Sequence, residues 1–445
     1  MKLYNTLGRQ KEDFRPLKGK EVSMYYCGMT LQESPHIGHI RAALTSDIIN
    51  RYLRYLGYDV NLIVNFTDID DKVIVKAEEE GKDYREIAAY FENEYRNVIT
   101  RLNILKPAFY PRATQHIEEI INLVQKLEKK GYAYQKDGDV FFSVRKFKDY
   151  GKLSRKKVED LRSGSRIEVN QKKEDPLDFV LWKKAKTSEP SWLSPWGKGR
   201  PGWHIECSAM AGYYLGDTID IHGGGSDLIF PHHENEIAQS ETATGKDFAK
   251  FWVHNEMLNI KGEKMSKSLS NFVPIRDLLD IYDPNAIRLY ILQAHYRNPI
   301  DYNTNMLKQA ASGWEKIMNF LNISKGMKGK LFANVIEEFE SKMNDDIGTP
   351  GALALAFDIV NKGLKADKKD MGSFRETLTF LLTHLGFDFG EDKQELGPAV
   401  EEIVKLRNDL RDEGNYDMAD RIRIVLEKSG ILIQDNPEGS IWRLK

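Results

Sequence analysis

Two cysteines, Cys27 and Cys207, are all that 445 residues contain, too few for a disulfide-held scaffold, so each calls for its own explanation. No apolar run approaches the roughly 20 residues that cross a bilayer. Residues 1–14 lack the basic-then-apolar order of a secretory signal, so a cytoplasmic location and no membrane partner are expected. Neither sign of charge dominates. Sixty-five basic side chains against 67 acidic ones leave a formal charge of −2, which excludes a cationic coat and confines any nucleic-acid contact to local patches. Internal repeats and low-complexity segments are also missing. What remains is an ordinary globular composition in a chain too long for one core, and two to four domains are expected.

The order of elements points to an α/β fold. Residues 21–28 read as a buried strand, and Ile37, Ile40, Leu44 and Ile48 recur at helical spacing until Gly57. Residues 60–66 form a second apolar strand, completing a βαβ unit with a parallel sheet and a ligand site at its carboxyl edge. Helices are expected from Asp83, with Glu86 completing a capping box, and over 114–130; a hairpin follows around Asp137-Gly138. The aperiodic stretch 152–202 reads as an insertion. The sheet resumes with a helix at 204–215, a strand at 218–222, a helix opened by Pro231 and a strand at 251–254.

Expected domains are therefore a Rossmann-like catalytic domain in two halves (1–130 and 203–255) around a connective insertion (131–202). A connecting stem region (256–309), a helical bundle (310–400) and a small α+β C-terminal module (401–445) follow.

Two short segments carry chemistry. His36-Ile37-Gly38-His39 opens the first helix of the βαβ unit, where backbone N–H groups and the helix dipole favour a phosphate. The two imidazoles can donate hydrogen bonds to an α-phosphate under attack, and Gly38 leaves room for a nucleotide near the backbone. Lys264-Met265-Ser266-Lys267-Ser268 follows the last strand, and its two lysines can neutralise a departing pyrophosphate. In this order and context the pair implies an adenylate-forming enzyme.

A metal set is also legible. His232 and Glu236 stand four apart on one helical face, and the two cysteines add sulfur ligands, giving two thiolates, one imidazole and one carboxylate suited to zinc. His233 with Glu236, three apart, satisfies the spacing almost as well.

These strings resemble the class I aminoacyl-tRNA synthetases, with their HIGH and KMSKS boxes, and more narrowly the bacterial cysteinyl-tRNA synthetases. The resemblance covers nearly the whole chain. Besides both boxes it rests on residues 65–72 (NFTDIDDK), 173–179 (KEDPLDF), 202–207 (GWHIEC), 230–236 (FPHHENE) and 419–423 (ADRIR), with Trp442 near the end. It implies activation of L-cysteine with ATP, transfer to the 3′ end of tRNA(Cys), one Zn2+ per chain and Mg2+ carried by ATP.

It further implies zinc on Cys27, Cys207, His232 and Glu236, which selects His232 over His233. Cys27, Thr67, Trp203 and Asp227 would line the amino-acid pocket. His36, Gly38, His39, Lys264, Ser266 and Lys267 would bind ATP, with His36, His39, Lys264 and Lys267 acting in catalysis. A zinc ion bonds a thiolate far more readily than a serine hydroxyl, which gives the metal a purpose in selecting cysteine. Arg407, Arg411, Arg421, Arg423 and Trp442 suggest a basic surface with an aromatic platform for tRNA. A monomer is expected. The family commonly reads Cys-Gly-Pro-Thr-Val-Tyr-Asp before its first box, and this chain departs from it with Cys27-Gly28-Met29-Thr30-Leu31-Gln32-Glu33.

Overall fold

A computed structural model describes residues 1–157, 172–187, 189–260, 263–264, 273–389, 396–436 and 439–444. The chain forms two compact units, Met1–Phe387 and Asp388–Lys445.

The first unit starts with a hairpin of β1 (Lys2–Asn5) and β2 (Gln10–Asp13), then enters the βαβ unit: β3 (Glu21–Tyr26), α1 (Ile37–Tyr55) and β4 (Asp59–Val64). Apolar positions in α1 recur on one face, so Ile37, Ile40, Leu44, Ile48 and Ile49 are buried, and the helix stops ahead of Gly57 at φ 83°. Two helices follow, α2 (Asp71–Glu80) and α3 (Tyr84–Arg101), each with an aspartate, Asp70 or Asp83, accepting a backbone N–H of its first turn. Next comes α4 (Ile117–Lys129).

The insertion is a five-stranded antiparallel sheet of β5 (Ala133–Lys136), β6 (Asp139–Phe142), β7 (Phe179–Lys184), β8 (Trp192–Ser194) and β9 (Gly197–Pro201), in the order β5-β6-β7-β9-β8. Asp137 and Gly138 both take positive φ, as a two-residue hairpin turn requires.

The chain then returns through α5 (Trp203–Leu215), β10 (Ile219–Gly225), α6 (Glu234–Thr244) and β11 (Ala249–Asn255). The resulting sheet is four-stranded and wholly parallel, ordered β11-β10-β3-β4. All four carboxyl ends meet at one edge, and Cys27 leaves β3 there. The helix expected to open at Pro231 instead begins at Glu234: residues Ile229–His233 make a π-type turn in which Phe230 is extended (φ −140°, ψ 130°).

A small sheet ordered β13-β12-β14 follows, built from β12 (Leu258–Ile260), β13 (Glu263–Lys264) and β14 (Ile300–Asp301). Between its strands lie α7 (Ile275–Leu279) and α8 (Pro284–Leu292). Four helices close the unit: α9 (Thr304–Ile323), α10 (Ala333–Asn344), α11 (Thr349–Gly363) and α12 (Lys368–His384). Leu307, Ala310, Trp314, Ile317 and Leu321 mark the buried stripe of α9.

The second unit holds α13 (Leu396–Asp412), α14 (Tyr416–Lys428) and the antiparallel pair β15 (Ile431–Asn436) and β16 (Gly439–Leu444). The division thus falls at 387/388, ahead of the expected 400/401, because α13 runs through residue 400 and packs Val400 and Val404 on Leu426, Ile431 and Ile433. Among the described residues no helix is long and apolar enough to cross a membrane.

Candidate active site

Close approach of β3 and β4 builds the floor of the site. The N–H of Gly28 donates to Asn65 Oδ1 at 3.0 Å, and a Cβ on Gly28 would stand 1.8 Å from the Asn65 carbonyl oxygen, so only glycine fits there. Thr67 is buried and paired through its backbone with the 29–31 segment: its N–H donates to Met29 O (3.2 Å), and the Leu31 N–H donates to Thr67 O (3.0 Å). Met29 and Leu31, two of the departures from the family pattern, are buried among Phe66, Val73 and Ala77.

At the same edge four ligand atoms converge from three separate stretches of chain. Cys27 Sγ lies 3.9 Å from Cys207 Sγ on α5 and 3.7 Å from Glu236 Oε1 on α6; His232 Nε2 lies 3.1 Å from that same oxygen. A tetrahedral zinc with bonds of about 2.0–2.3 Å sets its ligand atoms roughly 3.3–3.8 Å apart. The four residues lie close to that spacing and suit such an ion in donor type, and all are buried.

A second grouping shares two of them, Cys27, His222, His233 and Glu236. Here His233 Nε2 approaches Cys27 Sγ at 3.3 Å, and His222 Nε2 bonds Glu236 Oε2 at 2.9 Å. The first grouping has both thiols and suits a soft cation better.

The electrostatics bias two of the four groups toward the anion and two toward the protonated form, so a dication binding here would displace protons. Bonding to Cys27 and the neighbouring His232 lower the Cys207 thiol to about 6, although burial opposes this. Burial pushes the Cys27 thiol up, and Cys207 adds to the effect. Burial also works against charge on Glu236 and His232. Even so, His222 and His232 hold the Glu236 carboxyl down at about 2, while Glu236 and Cys207 raise the His232 imidazole to about 10.

Residues that spacing did not reveal brace these ligands. His204 Nδ1 bonds His232 Nδ1 at 2.9 Å, turning Nε2 toward Glu236, and Trp203 stacks on the same ring at 4.3 Å. His233 Nδ1 bonds His254 Nε2 at 2.8 Å, and His254 Nδ1 in turn meets Thr6 Oγ1 at 2.8 Å. Burial lowers both His204 and His254, the latter to about 3. The available signal was compositional, since five of the ten histidines gather here from separate segments.

The His36 box takes a form that spacing did not suggest. His36 is the N-cap of α1: its Nδ1 accepts the N–H groups of Gly38 (3.1 Å) and His39 (3.3 Å), and His39 Nδ1 accepts the His36 N–H (3.2 Å). Two backbone donors expected to face a phosphate are thus used within the cap. Gly38 makes room for the His36 ring, which a Cβ would meet at 2.9 Å. Because both Nδ1 atoms accept, both Nε2 atoms carry the proton and act as donors. The rings stack with centroids 3.7 Å apart.

Asp227 is exposed beside β10, and Trp203 is 38% exposed. Lys264 lies in β13, paired with Asn259; its side chain, with Ser266 and Lys267, falls outside the described residues.

Residues 13–312 match the family described as tRNA synthetases class I (C), catalytic domain. Over the full chain, a cysteine–tRNA ligase of Thermococcus gammatolerans is 45% identical, with 100% of this chain and 99% of that protein covered. One from a Geobacillus species is also 45% identical at the same coverage. The chain belongs to the cysteine–tRNA ligase family. Methionyl-tRNA synthetase of Mycobacterium tuberculosis, solved in complex with methionyl-adenylate, shares this family member's fold: TM-score 0.60 at 16% identity, covering 82% of this chain and 90% of that one.

In the second unit of this cysteine–tRNA ligase family member, one expected tRNA contact, Arg407, is corrected. Arg407 is 1% exposed and bonds Asp435 through both terminal nitrogens (2.8 and 3.0 Å), and Trp442 packs against the Val400–Leu426 core. A long cationic side chain buries its charge when a carboxylate meets it, which helix spacing does not disclose. Arg411 and Arg423 also face Asp435, at 2.7 and 3.9 Å, while Arg421 is exposed.

Proposed function

We infer that this ligase activates L-cysteine with MgATP and transfers it to the terminal ribose of tRNA(Cys). The observation that carries the reading is the buried Cys27–Cys207–His232–Glu236 cluster at the sheet edge from which α1 also starts. Zinc held by those four residues would supply a Lewis acid that bonds the substrate sulfur as thiolate.

The chain's own groups do the rest. His36 and His39 offer Nε2–H donors to the α-phosphate, stabilising the charge that grows there as the cysteine carboxylate attacks phosphorus and the bond to pyrophosphate breaks. Lys264, Ser266 and Lys267 bind the leaving triphosphate end. Trp203 and Thr67 confine the amino acid beside the cluster, and Asp227 pairs with its ammonium group. In the second step a ribose hydroxyl attacks the activated carbonyl, its proton passes to solvent and AMP leaves. No side-chain nucleophile is required.

ATP–pyrophosphate exchange with cysteine and with serine tests this. Size alone separates near-isosteres by only about a hundredfold. The expected preference for cysteine exceeds that ceiling; no exchange with cysteine, or equal rates with both, would sink the proposal.

A further inference from the structure

Arg41 lies on α1 two residues beyond His39, and its side chain is buried. Its guanidinium faces no carboxylate at bonding distance among the described residues. It donates instead to four main-chain carbonyls: Met257 (3.1 Å), His295 (3.3 Å), Tyr296 (3.1 Å) and Asn298. Met257 immediately precedes β12, and residues 295–298 lead into β14, its parallel partner. Two of those carbonyls are shared with the backbone: Ile300 N–H donates to Met257 O (3.1 Å), and Glu256 N–H donates to Tyr296 O (2.8 Å). One planar cation therefore stitches both strands at the point where the small sheet meets the first helix.

The other end of that segment is fastened to the same place. Ile37 N–H donates to Val273 O (3.4 Å), and Ile275 N–H donates to Pro35 O (3.0 Å), a bridge that sets His36 opposite Pro274. Chain leaves the start of α1 at Met257 and is back there by Val273. Between these points lies β13 with Lys264, paired to β12 through Asn259.

We propose that Arg41 is a positioning residue for adenylation, setting where the β12–β13 hairpin and its Lys264 stand relative to His36 and His39. This rests on the adenylate-forming reading above. The carbonyl fork gives the position its specificity. Lysine keeps the charge but carries its three donors on one nitrogen and cannot span four acceptors on two segments. Burial lowers the Arg41 guanidinium to about 10, with Glu256 opposing, so it stays cationic at neutral pH.

The experiment compares wild type with Arg41→Lys and Arg41→Gln in two assays: ATP–pyrophosphate exchange, and transfer of cysteine to tRNA from isolated enzyme-bound cysteinyl-adenylate. A misplacement of about 1 Å costs on the order of a hundredfold. Exchange turnover in Arg41→Lys should therefore fall by roughly 10- to 100-fold, while adenylate transfer, the cysteine KM and bound metal stay at wild-type levels. A further arm places Arg41→Lys in a Lys264→Ala background, where its effect should shrink because both changes act through one hairpin. Wild-type exchange, an equal fall in both assays, loss of metal, or full additivity with Lys264→Ala would overturn the proposal. Should Arg41→Gln fail to fold, Arg41→Lys alone decides. Absence of exchange in the wild type would instead count against the adenylation reading.

Discussion

Cys207 is the residue whose removal separates a metal ligand from a buried thiol. As a core residue, Cys207→Ala would leave a small cavity and little else. As a ligand it takes one of two sulfurs from a buried set of four, leaving three donors for the ion. The expectation is loss of bound zinc from the purified variant and a large rise in the cysteine KM, with ATP affinity retained; metal analysis beside exchange kinetics checks it, and unchanged zinc removes Cys207 from the site. Cys207 and Glu236 were legible in the sequence because sulfur is scarce here and His232 repeats at helical spacing. His204, His222 and His254 were not, because each reaches the cluster from a different element and a lone histidine carries no spacing signal.

Elements were most legible where burial is one-sided or complete. The strands of the parallel sheet read as apolar runs, and α1 read as a helical stripe, because most residues in them answer to one core. The turn at Ile229–His233 was not legible, since its π-type geometry is set by packing between β10 and α6 rather than by local propensity.

Arg407 on α13 was misread for a related reason: its partner Asp435 sits on β15, far along the chain. Bonding to Arg407, with Ser440 and Arg411 adding, holds the Asp435 carboxyl well below the usual range of 3.8. A depressed carboxyl contributes stability that is present above the unfolded value and is lost as pH falls through the folded one. Asp435→Asn should therefore destabilise the second unit by about 2 kcal/mol at neutral pH. The gap from wild type should close as pH drops below 3.8. Hydrogen exchange of the α13 and β15 amides across pH measures it, and a pH-independent gap would refute the linkage.

At the scale of the whole chain, the division at 387/388 decides where a truncation is clean. Ending the chain at Phe387 removes α13 and α14 intact, whereas ending it at residue 400 leaves a severed first turn of α13 with Val400 uncovered. The 1–387 fragment keeps the sheet, the cysteine–histidine cluster, α1 and the four closing helices. It should run ATP–pyrophosphate exchange at close to the full rate and lose most aminoacylation. Equal loss of both would show that the second unit supports the first reaction too.

The cluster at the sheet edge also bears on metal supply. Two sulfurs and an imidazole do not select zinc by affinity, because copper binds such donors more tightly. With zinc as the resident ion proposed above, correct loading would be decided by which ions the cell leaves free, and a surplus of copper would strike at the step where cysteine enters protein synthesis.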